Sequence, residues 1–128
     1  PTQIPKECAP ASAEKKVCRG KTIYMQIYGP DVRNTVRTFR DKWRELGASV
    51  PPIEDVIATA HKKKRPPPRP VERTTVRYHD PASEDCARAL DNAVGKQTWD
   101  VEPLSKTLKP SRGVVEVWIG PEIEPAGN

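Results

Sequence analysis

Long apolar runs are missing from this chain. No stretch nears the roughly 18 apolar residues that span a bilayer, and no secretory hydrophobic region or lipidation signal is present. Membrane insertion is therefore not expected. The three cysteines form no CxxC pair and the histidines lack zinc-ligand spacing, so no metal site is expected. There is no glycine-rich phosphate loop, no HExxH and no nucleophile elbow. His79-Asp80 followed by Ser83, Glu84 and Asp85 contains triad residue types. A strand-end histidine and a helix-start serine so close in sequence do not form a nucleophile-base geometry. Ser83 reads instead as a helix cap, with Glu84 and Asp85 as favourable first-turn charges. No catalytic residue, no cofactor and no enzymatic activity is expected.

What is present suits one domain: 128 residues, 35% hydrophobic and 30% charged, supply one core and not two. The 15 prolines point to a compact centre with irregular ends and connections. The net charge of +5 is localised. Between His61 and Arg73 stand Lys62, Lys63, Lys64, Arg65, Arg69 and Arg73 against the single acid Glu72, and the remaining residues balance. The chain begins with Pro1 rather than Met, so it reads as a processed product or excised fragment whose targeting segment has been removed.

Two stretches of the chain share one pattern. Thr22 to Tyr28 (TIYMQIY) is β-branched and aromatic and is closed by Gly29-Pro30, which reads as a strand and its stop. Val32, Val36, Phe39, Trp43 and Leu46 then form one helical stripe, with Asp31 as cap or first-turn charge and Gly47 at the C-terminus. Ser49 to Val56 reads as a short extended segment, kept at a sheet edge by Pro51 and Pro52. In the second unit Thr74 to His79 is strand-like, and a helix from about Ser83 to Val94 buries Cys86, Leu90 and Val94. Gly95 ends that helix, and Thr98 to Leu104 gives a short strand. Gly113 to Ile119 is a final strong strand. The expected fold is therefore α+β, a two-layer ferredoxin-like sandwich of two βαβ halves, with both helices on one face of a mainly antiparallel sheet. Residues 1–20 read as an arm, 21–120 as the domain and 121–128 as a tail. The connection from Ala58 to Arg73, with its basic stretch 61–73, reads as an extended, solvated loop of polyproline character.

Strand alternation assigns the candidate site. If the helices cover Ile23, Met25, Ile27, Val76, Tyr78, Val115, Val117 and Ile119, the opposite face collects Tyr24, Gln26, Tyr28, Arg77, His79, Glu116 and Trp118. Flat rings among hydrogen-bonding groups suit a polar ligand with apolar faces. The alternative is a face covered by a neighbouring domain, a loop or a second subunit. Arg33, Arg37, Arg40 and Arg44 form a second stripe on the first helix. With Lys62, Lys63, Lys64 and Arg65 they are a secondary anion-binding candidate. Ion pairing of the stripe with Asp41 and Glu45 is its competing explanation. Cys8 and Cys18 flank a polar stretch, where a disulfide would pin the arm in an oxidising compartment; reduced thiols are the alternative. Cys86 reads as a small core residue that stays reduced.

The layout IYMQIYG, VRNTVRTFRDKWRELGA and VRYHD, with Trp43-Arg44-Glu45-Leu46-Gly47 closing the first helix, resembles small bacterial cell-envelope domains. It is similar to the sporulation-related repeat (SPOR) and to the C-terminal domain of LytR-type proteins. The SPOR resemblance implies a sheet whose open face holds peptidoglycan glycan strands lacking stem peptides, with Tyr24, Gln26 and Tyr28 on the corresponding strand. The expected function is a non-catalytic glycan or protein-interaction module of a larger exported bacterial protein, periplasmic or secreted. The alternative is an RNA- or DNA-binding ferredoxin-like domain, which could also be cytoplasmic, using the basic loop and the sheet-face aromatics.

Overall fold

A computed structural model describes residues 16–96 and 99–125. It is a mixed α/β structure with a five-stranded sheet and three helices. The strands are β1 (Thr22–Ile27), β2 (Glu54–Asp55), β3 (Thr75–Tyr78), β4 (Asp100–Pro103) and β5 (Val114–Trp118). The helices are α1 (Arg33–Glu45), α2 (Val56–Lys62) and α3 (Glu84–Ala93), the last entered through a 3-10 turn over Pro81–Ser83.

Each half is a βαβ unit whose two strands lie side by side and parallel: β1 with β2, and β3 with β4. Strand β5 fills the centre of the order β2-β1-β5-β3-β4, parallel to β1 and antiparallel to β3. This corrects the expected mainly antiparallel, ferredoxin-like sheet, because three of the four pairings are parallel. The physical reason is non-local. Each helical crossover returns its strand next to the one it left, so the halves are not interleaved, and the last strand joins them.

The core follows the expected alternation. Ile23, Met25, Ile27, Val76, Val115 and Val117 are almost wholly buried and share one cluster with Val36, Phe39 and Trp43 of α1 and with Cys86, Ala87 and Leu90 of α3. The Trp43 indole donates to the Leu90 carbonyl (3.0 Å) and so ties the helices together. Its ring meets Trp99 edge-on, with centroids 5.9 Å apart, and Phe39 packs against both. Gly47 and Gly95 close their helices at φ +96° and +76°, where a side chain would be strained.

Several local expectations change. Val32, not Asp31, stands at the N-cap of α1, and no side chain caps that end. Ser83 does stand at the N-cap of α3, but its hydroxyl donates to Asp80 and not to the helix. The Ser83 hydrogen bond, with the Gly113 N–H and the Lys21 charge, holds the Asp80 carboxyl below its ordinary range. Residues 56–62, expected as extended chain and loop, form α2. The Asp55 carboxylate accepts from the N–H groups of Ile57 and Ala58 (3.0 and 3.1 Å), and Val56 and Ala60, four apart, are buried.

The chain ends of the described part also pack. Ile123, in the expected tail, is in the core, and Glu122 accepts from Thr74 N–H. Within the expected arm, Cys18 is fully buried, its N–H donates to Leu46 O, and it is bonded to Cys86. The bridge assigned to Cys8 and Cys18 is thus corrected, as is the reduced state of Cys86. Cys18 sits in a turn packed on the end of α1, facing the inward side of α3, with the two Cα atoms 4.8 Å apart. Cys8 lies outside the described residues.

Candidate binding face

The side chains opposite α1 and α3 assemble in rows set by strand register. Tyr24, Glu116, Arg77 and Glu102 face one another across β1, β5, β3 and β4. The adjoining row is Glu54, Gln26, Trp118, Thr75 and Asp100. All seven sequence-derived face residues are therefore on one side, with Tyr28 and His79 at the strand ends.

Their polar groups are linked. The Glu116 carboxylate accepts from the His79 ring through Oε2 (2.8 Å) and from the Trp118 indole N–H through Oε1 (2.9 Å). His79 Nδ1 accepts from the Ser111 backbone N–H (2.9 Å), which assigns the ring proton to Nε2 and directs it at Glu116. Arg77 donates to Glu102 (3.0 Å), and its guanidinium lies 5.9 Å from the Trp118 ring centroid. Trp118 in turn lies 6.1 Å from Tyr28, tilted by 36°. Placing the Gln26 amide nitrogen toward the Val117 and Tyr24 carbonyls (3.1 and 3.2 Å) satisfies that nearly buried side chain. Among the described residues no buried side-chain nitrogen or oxygen lacks a partner. A ligand would accordingly meet ring faces and the outer edges of the ion pairs.

The face is open on one side and roofed on the other. Tyr24 is 42% exposed, and the Glu102 side chain about half. Toward β2, Val56 and Ala60 of α2 are buried apart from the main core cluster. A cavity of about 230 Å³ is lined by α2, Arg65, Pro66, Pro68 and Trp118. A second, of about 190 Å³, lies among Tyr28, Pro70, Val71 and Ile123. Burial pushes the Tyr28 phenol up from its ordinary range, with the nearby Val71 backbone and the Arg77 charge pulling the other way. The proline-rich segment is thus a strap over the Trp118–Tyr28 end of the face.

The secondary anion candidate is not one site. Arg33 donates to Ile53 O (3.2 Å), Arg40 and Arg44 to Val50 O (3.0 and 3.5 Å), and Arg37 to Asn34 (3.2 Å). Three of the four arginines clamp the connection between α1 and β2. None of the ion pairs found among the described residues joins them to Asp41 or Glu45. Lys62, Lys63, Lys64 and Arg65 end α2 and begin the strap, fully on the surface.

Sequence reasoning missed Glu102 and the roofing residues. Alternation in Asp100–Pro103 would have found Glu102, because Val101 pairs with inward Val76 and so places Glu102 beside Arg77. Among the described residues no group of three metal-ligating side chains is found, and no helix is long and apolar enough to cross a membrane. Comparison of the chain with protein-family models, curated proteins and solved structures finds no match in any of the three.

Proposed function

We propose that this chain is a non-catalytic binding module whose ligand lies across the open part of the sheet face. The observation that carries this reading is the row Tyr24, Glu116, Arg77 and Glu102, flanked by the tilted ring pair Trp118–Tyr28. Sugar rings present an apolar face to aromatic rings and hydroxyls to carboxylates and guanidinium groups, so a glycan strand fits this chemistry. A partner protein's side chains would use the same groups. The resemblance to SPOR and LytR C-terminal domains favours peptidoglycan glycan. The buried Cys18–Cys86 bridge supports an oxidising, periplasmic or secreted setting.

A nucleic acid is the weaker ligand for this face. Its rows carry Glu54, Asp100, Glu102 and Glu116 against Arg77, with Arg73 paired to Asp100 at the margin. That carboxylate excess repels phosphates, and of the strap's basic residues Arg65 alone lines the cavity beside Trp118.

Sedimentation with purified peptidoglycan sacculi tests the proposal. The wild-type protein pellets with sacculi, and Tyr24→Ala/Trp118→Ala stays in solution. Equal pelleting of both proteins removes the sheet-face site; pelleting of neither removes the glycan ligand.

A further inference from the structure

We infer that the cavity between α2, the start of the strap and Trp118 is a small-molecule pocket for a zwitterion, an ammonium and a carboxylate carried on a short apolar body, as in a small α-amino acid. The pocket adjoins the sheet face and shares Trp118 with it, but it does not depend on what lies across that face.

Three parts of the chain build it. Glu54 pairs with Gln26 and Gln26 with Trp118, so the carboxylate and the indole stand in one row with β1 between them. Val56, Thr59 and Ala60 share one face of α2 by helical spacing, and all three line the cavity. The returning chain is the roof. Lys64 leaves the helix at φ +56°, and the Arg65 N–H donates back to Ala60 O (3.0 Å). A following proline holds Arg65, Pro66 and Pro67 extended, and alternation along that extended run brings Pro66 and Pro68 to the cavity together.

The lining combines an apolar surface with two charges of opposite sign. Val56, Ala60, the two proline rings and the indole supply the first, and Glu54 and Arg65 the second. Neither Glu54 nor Arg65 belongs to any ion pair found among the described residues. A ligand of a single charge would meet one attraction and one repulsion there, whereas a ligand carrying both charges satisfies both side chains. Size narrows the class. At the ~30 Å³ that a water takes in the liquid, a cavity of about 230 Å³ holds about eight non-hydrogen atoms, the size of a small amino acid.

The intact 128-residue protein, labelled with 15N, is titrated with L-valine. A Kd on the order of 1 mM is expected. Shifts should appear at the Thr59, Ala60 and Arg65 amides and at the Trp118 indole N–H, and not at Phe39 or Leu90. Isovalerate, which lacks the ammonium, and isobutylamine, which lacks the carboxylate, should each bind about tenfold or more weakly. Glu54→Gln and Arg65→Gln, both at exposed positions, should weaken L-valine binding to a similar degree with an unchanged melting temperature. No shift at these groups in ~50 mM L-valine, equal binding of either analogue, or full affinity in either charge variant would overturn the inference. The titration is independent of sacculus pelleting, so this pocket and the sheet-face site can each fail alone.

Discussion

The two faces of the sheet are built from the same strands by alternate residues, yet they are held by different forces. The helix side is a continuous apolar cluster in which Ile23, Val36, Trp43, Val76, Leu90 and Val117 are entirely out of water. The other side is a chain of paired groups, from Ser111 through His79, Glu116 and Trp118 to Arg77 and Glu102. Burial of apolar area stabilises in proportion to area. Single hydrogen bonds and partly exposed ion pairs contribute about 1 kcal/mol each. The helix side therefore sets stability, and the other side is free to be shaped by a ligand.

The sharpest way to break that division is to remove one tryptophan from each face. Trp43→Ala empties the core and orphans the Leu90 carbonyl, with an expected loss of about 3–5 kcal/mol in urea unfolding. Trp118→Ala, half-buried on the other face, should destabilise much less and abolish ligand binding. A Trp118→Ala loss as large as that of Trp43→Ala would mean that the face is core and not a site.

Next in size is the disulfide. Cys18 and Cys86 are 68 positions apart, so the bridge restricts the unfolded chain by about 4 kcal/mol in the loop-entropy estimate, against about 3 for the short loop expected from Cys8 and Cys18. Reduction, or Cys18→Ala/Cys86→Ala, should lower the urea midpoint accordingly, and peptide mapping without reductant should recover the 18–86 pair. A linkage to Cys8 in the folded protein would contradict the structure.

Smallest is Glu116→Gln, which keeps the shape but removes the charge that accepts from both His79 and Trp118. Stability should fall by about 1 kcal/mol. A loss of sacculus binding beyond that of a mere fold perturbation, with a native circular-dichroism spectrum, would sharpen the assignment of the face.

The elements whose signals are local were legible in the sequence. The stripe Val36, Phe39, Trp43 and the left-handed Gly47 delimit α1, and the alternation in TIYMQIY, TTVRYH and GVVEVWI places the seven face residues together. What failed was local but faint, or not local at all. Helix α2 rests on one cap, Asp55, and two apolar positions in a segment otherwise dominated by small and basic residues. The partner of Cys18 depends on how α3 lies over the end of α1, which no spacing encodes. The roof over Trp118 depends on the path of a proline-rich connection whose stiffness was readable and whose direction was not. Ile123 follows no periodic segment, yet it enters the core beside Gly120, where an added Cβ would collide with the backbone of Arg73 and Thr74.

The central place of β5 has a consequence for how such a chain matures. Until Val114–Trp118 emerges from the ribosome, β1 and β3 each expose a flank that must later be paired, and the two halves have no sheet contact with each other. The first half would wait through the synthesis of the second with an unfilled hydrogen-bonding edge, the state most open to wrong pairing. Closure then comes at once on both sides of a single late strand. Folding of this domain should therefore be an all-or-none event gated by its last strand, with slow, topology-limited kinetics in place of stepwise assembly of two independent halves.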